Sequence, residues 1–318
     1  YKYWDIARKY KERKDEQIED YDEAKNTLKK LIKGAVSRRL AADVPIGAFL
    51  SGGYDSSLVC AVAQELSQNP VKTFSIGFYE EELNEAVYAK EIAKYIGVEH
   101  EELYITEQDM FSVLESIPVY YDEPFADPSQ IPTMIVSELA KRSVSVVLSG
   151  DGGDELFGGY PIYSILQNVQ KKALWGKAVH CIRSVPGIKE LQLWEKMSIA
   201  KRIASDDINK EAKTQTGIKT YKDAVNRILN VPVDNYYYEM ESKYGEKRYD
   251  ITRMLLDMDT YLPEDILTKV DRASMKYALE CRCPLLDKEV LEFSMRLPIN
   301  FKVDGESKKI LKDITHDY

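Results

Sequence analysis

Two short apolar runs that each end in a glycine-rich loop constrain the fold of this chain more than any other feature. The first run, residues 46–50, stops at Ser51-Gly52-Gly53, and apolar residues then recur at helical spacing. The second run, residues 144–148, is rich in valine and stops at Ser149-Gly150. A strand that leads through a glycine-rich loop into a helix is the repeating unit of α/β folds, so both runs are predicted to be strands.

Further strands and helices alternate between these two loops. Residues 71–78 are predicted to be a strand, residues 84–96 a helix that Gly97 ends, and residues 101–105 a weaker strand. This order predicts an α/β fold with a doubly wound parallel sheet, followed from about Tyr249 by a mostly helical C-terminal part. Ligands of such sheets bind beyond the carboxyl ends of the strands, so the two loops are expected to face one crevice.

The 318 residues allow one large domain or two smaller ones. Residues 1–30 are dense in charge and are predicted to be a solvated helix or linker. Residues 31–318 are predicted to be one α/β domain, in which residues 161–248 form a variable helical region without a strand pattern. The chain starts at Tyr1 and stops inside a lysine-rich helical pattern, so it is expected to be a piece of a longer protein.

Charge and composition exclude several classes of function. The net charge of −9 disfavours a nucleic-acid partner, and no apolar run approaches the roughly 20 residues that span a membrane. The four cysteines form no CxxC pair, which favours a reducing, cytoplasmic setting, and Cys281 and Cys283 are predicted to be packing residues. The sequence leaves the oligomeric state open, with a homodimer as one option.

The loop Ser51-Gly52-Gly53-Tyr54-Asp55-Ser56-Ser57 has the composition of an anion site. Its amides and hydroxyls lie at the start of a helix, where backbone donors favour negative charge. The loop has no lysine and no GxxxxGK[ST] pattern, so it is not a Walker A loop. Asp55 would repel a bound anion, which predicts an intervening Mg2+. The plainer alternative is a glycine-serine turn capped by an aspartate.

The second loop, Ser149-Gly150-Asp151-Gly152-Gly153-Asp154-Glu155, brings three acids within five residues. Their mutual repulsion predicts a cation or a cationic ligand nearby. Glu155 stands where a GxGxxG fingerprint needs its third glycine, so a dinucleotide site is not supported. A glycine-rich loop with acids that cap a helix is the alternative.

In these loops the chain resembles the synthetase domain of glutamine-dependent asparagine synthetases, within the ATP pyrophosphatase (PP-loop) superfamily. The first loop is similar to that family's SGGxDSS loop and the second to its SG[ED]G[SG]DE loop. Further matches, in order along the chain, are residues 74–78, 122–124, 269–275 and 280–287. The resemblance extends from about Ala41 to Lys312.

The resemblance implies a fold of the adenine nucleotide alpha hydrolase-like type and an ATP-dependent amide synthesis. The side-chain carboxylate of aspartate would be adenylated, with release of pyrophosphate, and ammonia would then displace AMP to give asparagine. ATP and Mg2+ are the implied cofactors. Ammonia would come from glutamine in a separate glutaminase domain, and residues 1–30 would be the linker from that domain.

The resemblance also assigns roles to individual residues. Nucleotide and pyrophosphate contacts are expected from Leu50, Ser51, Gly52, Gly53, Asp55, Ser56, Ser57, Ile76, Ser149 and Gly150. Asp55 and Asp154 would bind the metal. Lys308 would stabilise adenylation, with Lys309 as the alternative if the register differs by one.

Other assigned roles are less direct. Arg272 resembles a phosphate-facing cation, although a surface salt bridge explains it equally well. Asp151, one methylene shorter than the glutamate of many relatives, would accept a proton from ammonia. Candidates for the acid-substrate pocket are Asp122, Glu123, Asp127 and Ser129.

Departures from the family pattern leave the acid substrate open. Tyr54, Leu286 and Lys312 replace the usual Leu or Ile, Phe and Arg, respectively. The alternatives are a ligase that amidates or cyclises another carboxylate, and a non-catalytic relative that binds nucleotide. The net charge disfavours a tRNA-modifying enzyme. Asp55→Ala is expected to abolish adenylation and leave the fold intact, because an exposed loop acid contributes little packing.

Overall fold

The computed structural model describes residues 3–80, 84–168, 170, 243–246 and 248–318. The chain divides into two compact units, residues 1–159 with 257–318, and residues 160–256. In the second unit Tyr163 and Tyr244 are fully buried. The predicted variable region, residues 161–248, lies mostly outside the described residues, so the proposed domain boundaries stay predictions.

The first unit is built on a five-stranded sheet in which every strand pairs in parallel. The strand order is β3-β2-β1-β4-β5. The strands are β1 (Ile46–Phe49), β2 (Lys72–Phe78), β3 (Glu99–Ile105), β4 (Val146–Leu148) and β5 (Glu280–Arg282). The predicted α/β fold with a parallel sheet is confirmed, and the four predicted strands lie within two residues of their expected ends. Ala48 pairs with both Thr73 and Leu148, so the loops that follow β1 and β4 leave the same edge of the sheet.

Strand β5 was not predicted, since the chain from Tyr249 onward was expected to be mostly helical. It has three residues and lies at the edge of the sheet, with Glu280 opposite Val146 and Arg282 opposite Leu148. A three-residue strand with charged residues at both ends is too short for hydrophobic periodicity to reveal. Its pairing partner lies more than 130 residues away along the chain, so only the tertiary fold identifies it.

Helices account for most of the remaining described residues. In the order of the chain they are α1 (Ile6–Arg13), α2 (Tyr21–Arg39), α3 (Tyr54–Leu66), α4 (Ala86–Ile96), α5 (Glu107–Leu114), α6 (Ile117–Tyr120), α7 (Gln130–Lys141), α8 (Gly153–Phe157), α9 (Tyr249–Asp259), α10 (Thr268–Met275), α11 (Lys288–Ser294), α12 (Ile299–Lys302) and α13 (Lys309–Thr315). A π-helix, Leu262–Leu267, precedes α10. Helix α4 ends at Gly97 in a left-handed conformation, as predicted.

The charged N-terminal segment packs on the first unit, which corrects the expectation that it is solvated. Helix α1 buries Ile6, Ala7 and Tyr10 and contacts α11. Helix α2 crosses residue 30 without a break and has Leu28 fully buried against the unit. These apolar residues occupy one face of each helix, and their small number among many charges hid that face in the sequence.

The core of the first unit lies between the sheet and its helices. One cluster of buried side chains joins β2, β4 and α7 through Phe74, Val147 and Leu139. A second cluster joins the end of β3 to α7 and α10 through Ile105, Met134 and Ala273. The first cluster includes Val147 of β4, the strand that leads into the second glycine-rich loop. Among the described residues, no helix combines the length and the apolar character required to span a membrane.

Candidate active site

The loop after β1 turns sharply into α3 and leaves its polar groups at the helix start. Gly52 has φ of +85°, and a Cβ there would lie 3.1 Å from the Ala89 amide nitrogen, so both the conformation and the space require glycine. The Ser51 amide donates to Ser56 Oγ at 3.2 Å, and Ser57 Oγ donates to the Gly53 carbonyl at 2.7 Å. The hydroxyls thus fix the shape of the loop through hydrogen bonds within it.

The two glycine-rich loops meet, as their positions in the sequence predict. A Cβ on Gly150 would lie 2.7 Å from the Ser56 amide nitrogen, and a Cβ on Gly153 would collide with the Asp55 carboxylate. The second loop therefore approaches the first backbone to backbone. This contact places Asp55 and Asp154 on either side of one small space.

Lys308 fills that space with its ammonium group. Its Nζ lies 2.6 Å from Asp55 Oδ2 and 2.7 Å from Asp154 Oδ1. Lys308 is the residue immediately before α13 and has φ of 55°, a left-handed conformation that is uncommon for a side-chain-bearing residue. Its neighbour Lys309 pairs with Asp304 at 3.0 Å instead. The structure therefore places Lys308, the first candidate, at the loops.

Asp55 is buried, contrary to the expectation of an exposed loop acid. It is 9% exposed, and burial raises its pKa to about 6, with Asp154 adding to the rise and the positive charge of Lys308 opposing it. Burial lowers the pKa of Lys308, but Asp55 and Asp154 outweigh this effect and raise it overall. The three groups form a coupled charge cluster within the first unit.

One oxygen of this cluster is unsatisfied. Asp55 Oδ1 is buried and has no hydrogen-bond partner among the described residues. A buried carboxylate oxygen without a partner is costly, and carboxylate oxygens are the ligands that Mg2+ prefers. Asp55 and Asp154 therefore fit a magnesium ion, with Lys308 as the neighbouring fixed cation.

The predicted nucleotide residues lie at the carboxyl ends of three neighbouring strands. Leu50 is buried after β1, Ile76 lies half-buried on β2, and Ser149 follows β4. The Ser149 amide donates to the Arg282 carbonyl at 2.9 Å, and its hydroxyl donates to the Asp151 carboxylate. The sheet thus brings these residues to one edge, although the roles assigned to them stay predictions.

Asp151 lies in the second loop beside the cluster. Burial raises its pKa, while the hydrogen bond from Ser149 and the charge of Lys269 act in the opposite direction. A carboxyl group with a raised pKa is a better proton acceptor near neutral pH than an ordinary aspartate. Its environment therefore suits the predicted proton transfer.

Four of the other predicted residues are already paired with neighbours: Arg272 with Asp122, and Asp127 with Ser129. Arg272 lies 2.8 Å from Asp122 in an exposed ion pair, the arrangement that the sequence left as its alternative. Asp127 accepts hydrogen bonds from the Ser129 amide at 2.8 Å and hydroxyl at 2.6 Å. Glu123 is exposed. The contacts of these residues point to no substrate, so their roles stay predictions.

Lys269 is a charged residue of this region to which the sequence assigned no role. It is 9% exposed, and its Nζ lies 2.9 Å from Asp127 Oδ2. Its charge also acts on Asp151, which joins the candidate acid-substrate residues to the second loop. The only signal in the sequence was its place in the run of residues 269–275, where Arg272 was the residue selected.

Comparison with known proteins identifies close relatives of the chain. The sequence model described as asparagine synthase matches residues 27–318. Asparagine synthetase [glutamine-hydrolyzing] 1 of Bacillus subtilis is 33% identical over 302 residues, which cover 92% of this chain and 46% of that protein. Asparagine synthetase [glutamine-hydrolyzing] 3 of the same organism is 25% identical over 331 residues, covering 98% and 48%.

A plant relative shows a similar likeness over a shorter segment. Asparagine synthetase [glutamine-hydrolyzing] of Sandersonia aurantiaca is 35% identical over 172 residues, which cover 50% of this chain and 32% of that protein. The chain spans less than half the length of each of these three relatives.

Proposed function

The chain belongs to the asparagine synthase family, and we propose that it adenylates the side-chain carboxylate of aspartate with ATP and aminates the adenylate to asparagine. The observation that carries this proposal is the position of Lys308, between Asp55 and Asp154 where the two glycine-rich loops meet. Such a cluster suits the cleavage of a polyphosphate, because its fixed cation can offset charge that develops on the leaving group.

In the first step, a carboxylate oxygen of aspartate attacks the α-phosphorus of ATP. The bond between the α-phosphorus and the bridging oxygen to the β-phosphate breaks, and pyrophosphate leaves. The hydroxyls and amides of Ser51, Ser56 and Ser57 lie at the start of α3, where backbone donors favour an anion. Lys308 offsets the negative charge that grows on the departing group.

Asp55 and Asp154 would hold magnesium at this site. When bound, the ion supplies positive charge to the phosphate oxygens and offsets the charge of the leaving pyrophosphate. The partnerless Oδ1 of Asp55 is the atom that most favours this assignment. Lys308, a cation that the chain itself provides, lies 2.6 Å from Asp55 Oδ2.

In the second step, ammonia attacks the carbonyl carbon of the acyl-adenylate. The bond to the AMP oxygen breaks, AMP leaves, and the nitrogen loses one proton to give the neutral amide. Asp151 is the proposed acceptor of that proton, and its raised pKa supports the role. The relatives are named as glutamine-hydrolysing, and we propose that a glutaminase domain supplies the ammonia.

The test is pyrophosphate release by the 318-residue chain with ATP, Mg2+ and a panel of carboxylic acids, with and without ammonium. Aspartate-dependent release, with asparagine formed only when ammonium is present, is the expected result. Release with another acid would keep the chemistry and reject aspartate as the substrate. ATP binding by calorimetry without release for any acid would favour the non-catalytic alternative.

A further inference from the structure

A second group of potential ligands joins the loop that follows β4 to the edge of the sheet, and it shares no residue with the Asp55, Asp154 and Lys308 cluster. One carboxylate oxygen of Asp151 and the sulfurs of Cys281 and Cys283 all lie within 4.8 Å of one another. Each of the three residues is partly exposed, so an ion can reach them. The Ser149 amide holds the loop against the edge strand through its 2.9 Å hydrogen bond to the Arg282 carbonyl.

The direction of the side chains on β5 explains why the two thiols meet. Cys281 lies on β5, and Cys283 directly follows the strand with its backbone still extended. Successive residues of an extended segment point to opposite faces, so the two cysteines share one side. Glu280 and Arg282 occupy the other side, where they pair with each other at 2.7 Å. Cys281 also packs on the core cluster around Phe74, which agrees with its predicted packing role. The Asp151 carboxylate accepts a hydrogen bond from the Ser149 hydroxyl and also lies beside the two sulfurs, an arrangement that packing alone does not explain.

The spacing of the three ligand atoms suits a tetrahedral ion. Zinc binds sulfur at about 2.3 Å and carboxylate oxygen at about 2.0 Å, so the ligand atoms around it are roughly 3.5 to 3.8 Å apart. The present separations are no greater than 4.8 Å. Each would therefore have to shorten by no more than about 1.3 Å, which side-chain rotation can supply.

We propose that Asp151, Cys281 and Cys283 form a binding site for a thiophilic divalent cation such as Zn2+, with a fourth position open to solvent. The site is separate from the oxygen site proposed for magnesium and takes a cation of a different class. A cation bound at this site would occupy the carboxylate of Asp151, the group proposed to accept the proton from ammonia. Bound zinc is thus an inhibitor of amide formation, and this consequence rests on the proposed function.

Binding is measured without reference to activity, by titrating the 318-residue chain with Co2+ in excess Mg2+ and then displacing it with Zn2+. All variants carry Cys181→Ser, so that this cysteine outside the described residues contributes nothing. Thiolate-to-cobalt absorption with one ion per chain is expected. It is expected to disappear when Cys281 and Cys283 are both changed to Ser, and to persist in Cys60→Ala, which removes a buried thiol elsewhere.

Asp151→Asn keeps both thiols, so it tests the site independently if the double-serine variant fails to fold. It is expected to weaken zinc binding by about tenfold or more while the cobalt-thiolate absorption remains detectable. Absence of that absorption in the parent chain would overturn the site. Equal zinc affinity in the parent and the double-serine variant would overturn it as well.

The inhibitory consequence has its own measurement. Zinc is expected to lower asparagine formation more than pyrophosphate release, and a chelator is expected to restore it. Equal inhibition of the parent and the double-serine variant would refute the role of this site in inhibition. If the chain releases no pyrophosphate with aspartate, the proposed function fails, and the cobalt titration still decides the metal site.

Discussion

Replacing Asp55 by Asn should make the protein more stable while it removes activity. Burial raises the pKa of Asp55 from its ordinary 3.8 to about 6, even though Lys308 opposes the rise. Ionisation of this carboxyl group is therefore more costly in the folded chain than in the unfolded chain. Asn keeps the shape and removes the charge, so the folded state is relieved of that cost.

The size of the effect follows from the shift in pKa. Each pKa unit corresponds to about 1.4 kcal/mol, so the rise from 3.8 to about 6 amounts to about 3 kcal/mol of stability above pH 6. Because the pKa is raised, the stability that Asp55 contributes is fully present below pH 3.8 and is lost as the pH rises through 6. Asp55→Asn should therefore gain about 3 kcal/mol at pH 8 and about half of that at pH 5.

The assay is urea unfolding of both chains at pH 5 and pH 8, with a chelator present so that no metal contributes. Asp304→Asn is the matched control, because Asp304 pairs with a lysine at 3.0 Å but is exposed. The control should change stability by less than about 0.5 kcal/mol. If the Asp55→Asn chain is less stable than the parent at pH 8, Lys308 more than offsets the cost of burying the charge. A difference in the free energy of unfolding that is the same at pH 5 and pH 8 would also contradict the reasoning, because it would not follow the ionisation of Asp55.

Two further predictions concern the residues that build the site. Lys308→Met should lower pyrophosphate release by about 100-fold or more through loss of a fixed charge at the leaving group. Lys309→Met should keep most of the rate, and equal losses in both variants would contradict the assignment. Gly150→Ala should destabilise the chain by about 1 to 3 kcal/mol and abolish release, because its Cβ would lie 2.7 Å from the Ser56 amide nitrogen. Gly34→Ala, which meets only the mobile end of an arginine at 3.3 Å, should leave thermal stability unchanged or slightly higher, and a similar loss in both alanine variants would argue against the close approach of the loops.

Local pattern was sufficient for the elements that carry the loops. The apolar runs before Ser51 and Ser149 predicted β1 and β4 because a buried parallel strand needs a short continuous apolar segment. The glycines marked the turns that follow, since Gly52 adopts a conformation that other residues avoid. Strand β5 could not be predicted in the same way, because three residues are too few to show a hydrophobic pattern.

Burial at the site depends on contacts between segments that are far apart along the chain, so local sequence patterns do not reveal it. Asp55 looked like an exposed loop acid, but the backbone of the second loop covers it near Gly153. The helices at the N-terminus looked solvated for the related reason that their few apolar residues face partners far along the chain. In both cases the environment of a residue comes from segments that are distant in sequence.

The amino-acid sequence by itself determined the parallel sheet, the two glycine-rich loops and the family resemblance, because each rests on residues that are close together in the chain. Only the tertiary structure decided which lysine side chain contacts the carboxylates of the two loops. Lys308 reaches Asp55 across 253 residues, and nothing local separates it from Lys309. The same holds for Asp151, because its neighbour Cys281 lies on an edge strand that forms only when the sheet assembles, and Cys283 directly follows that strand.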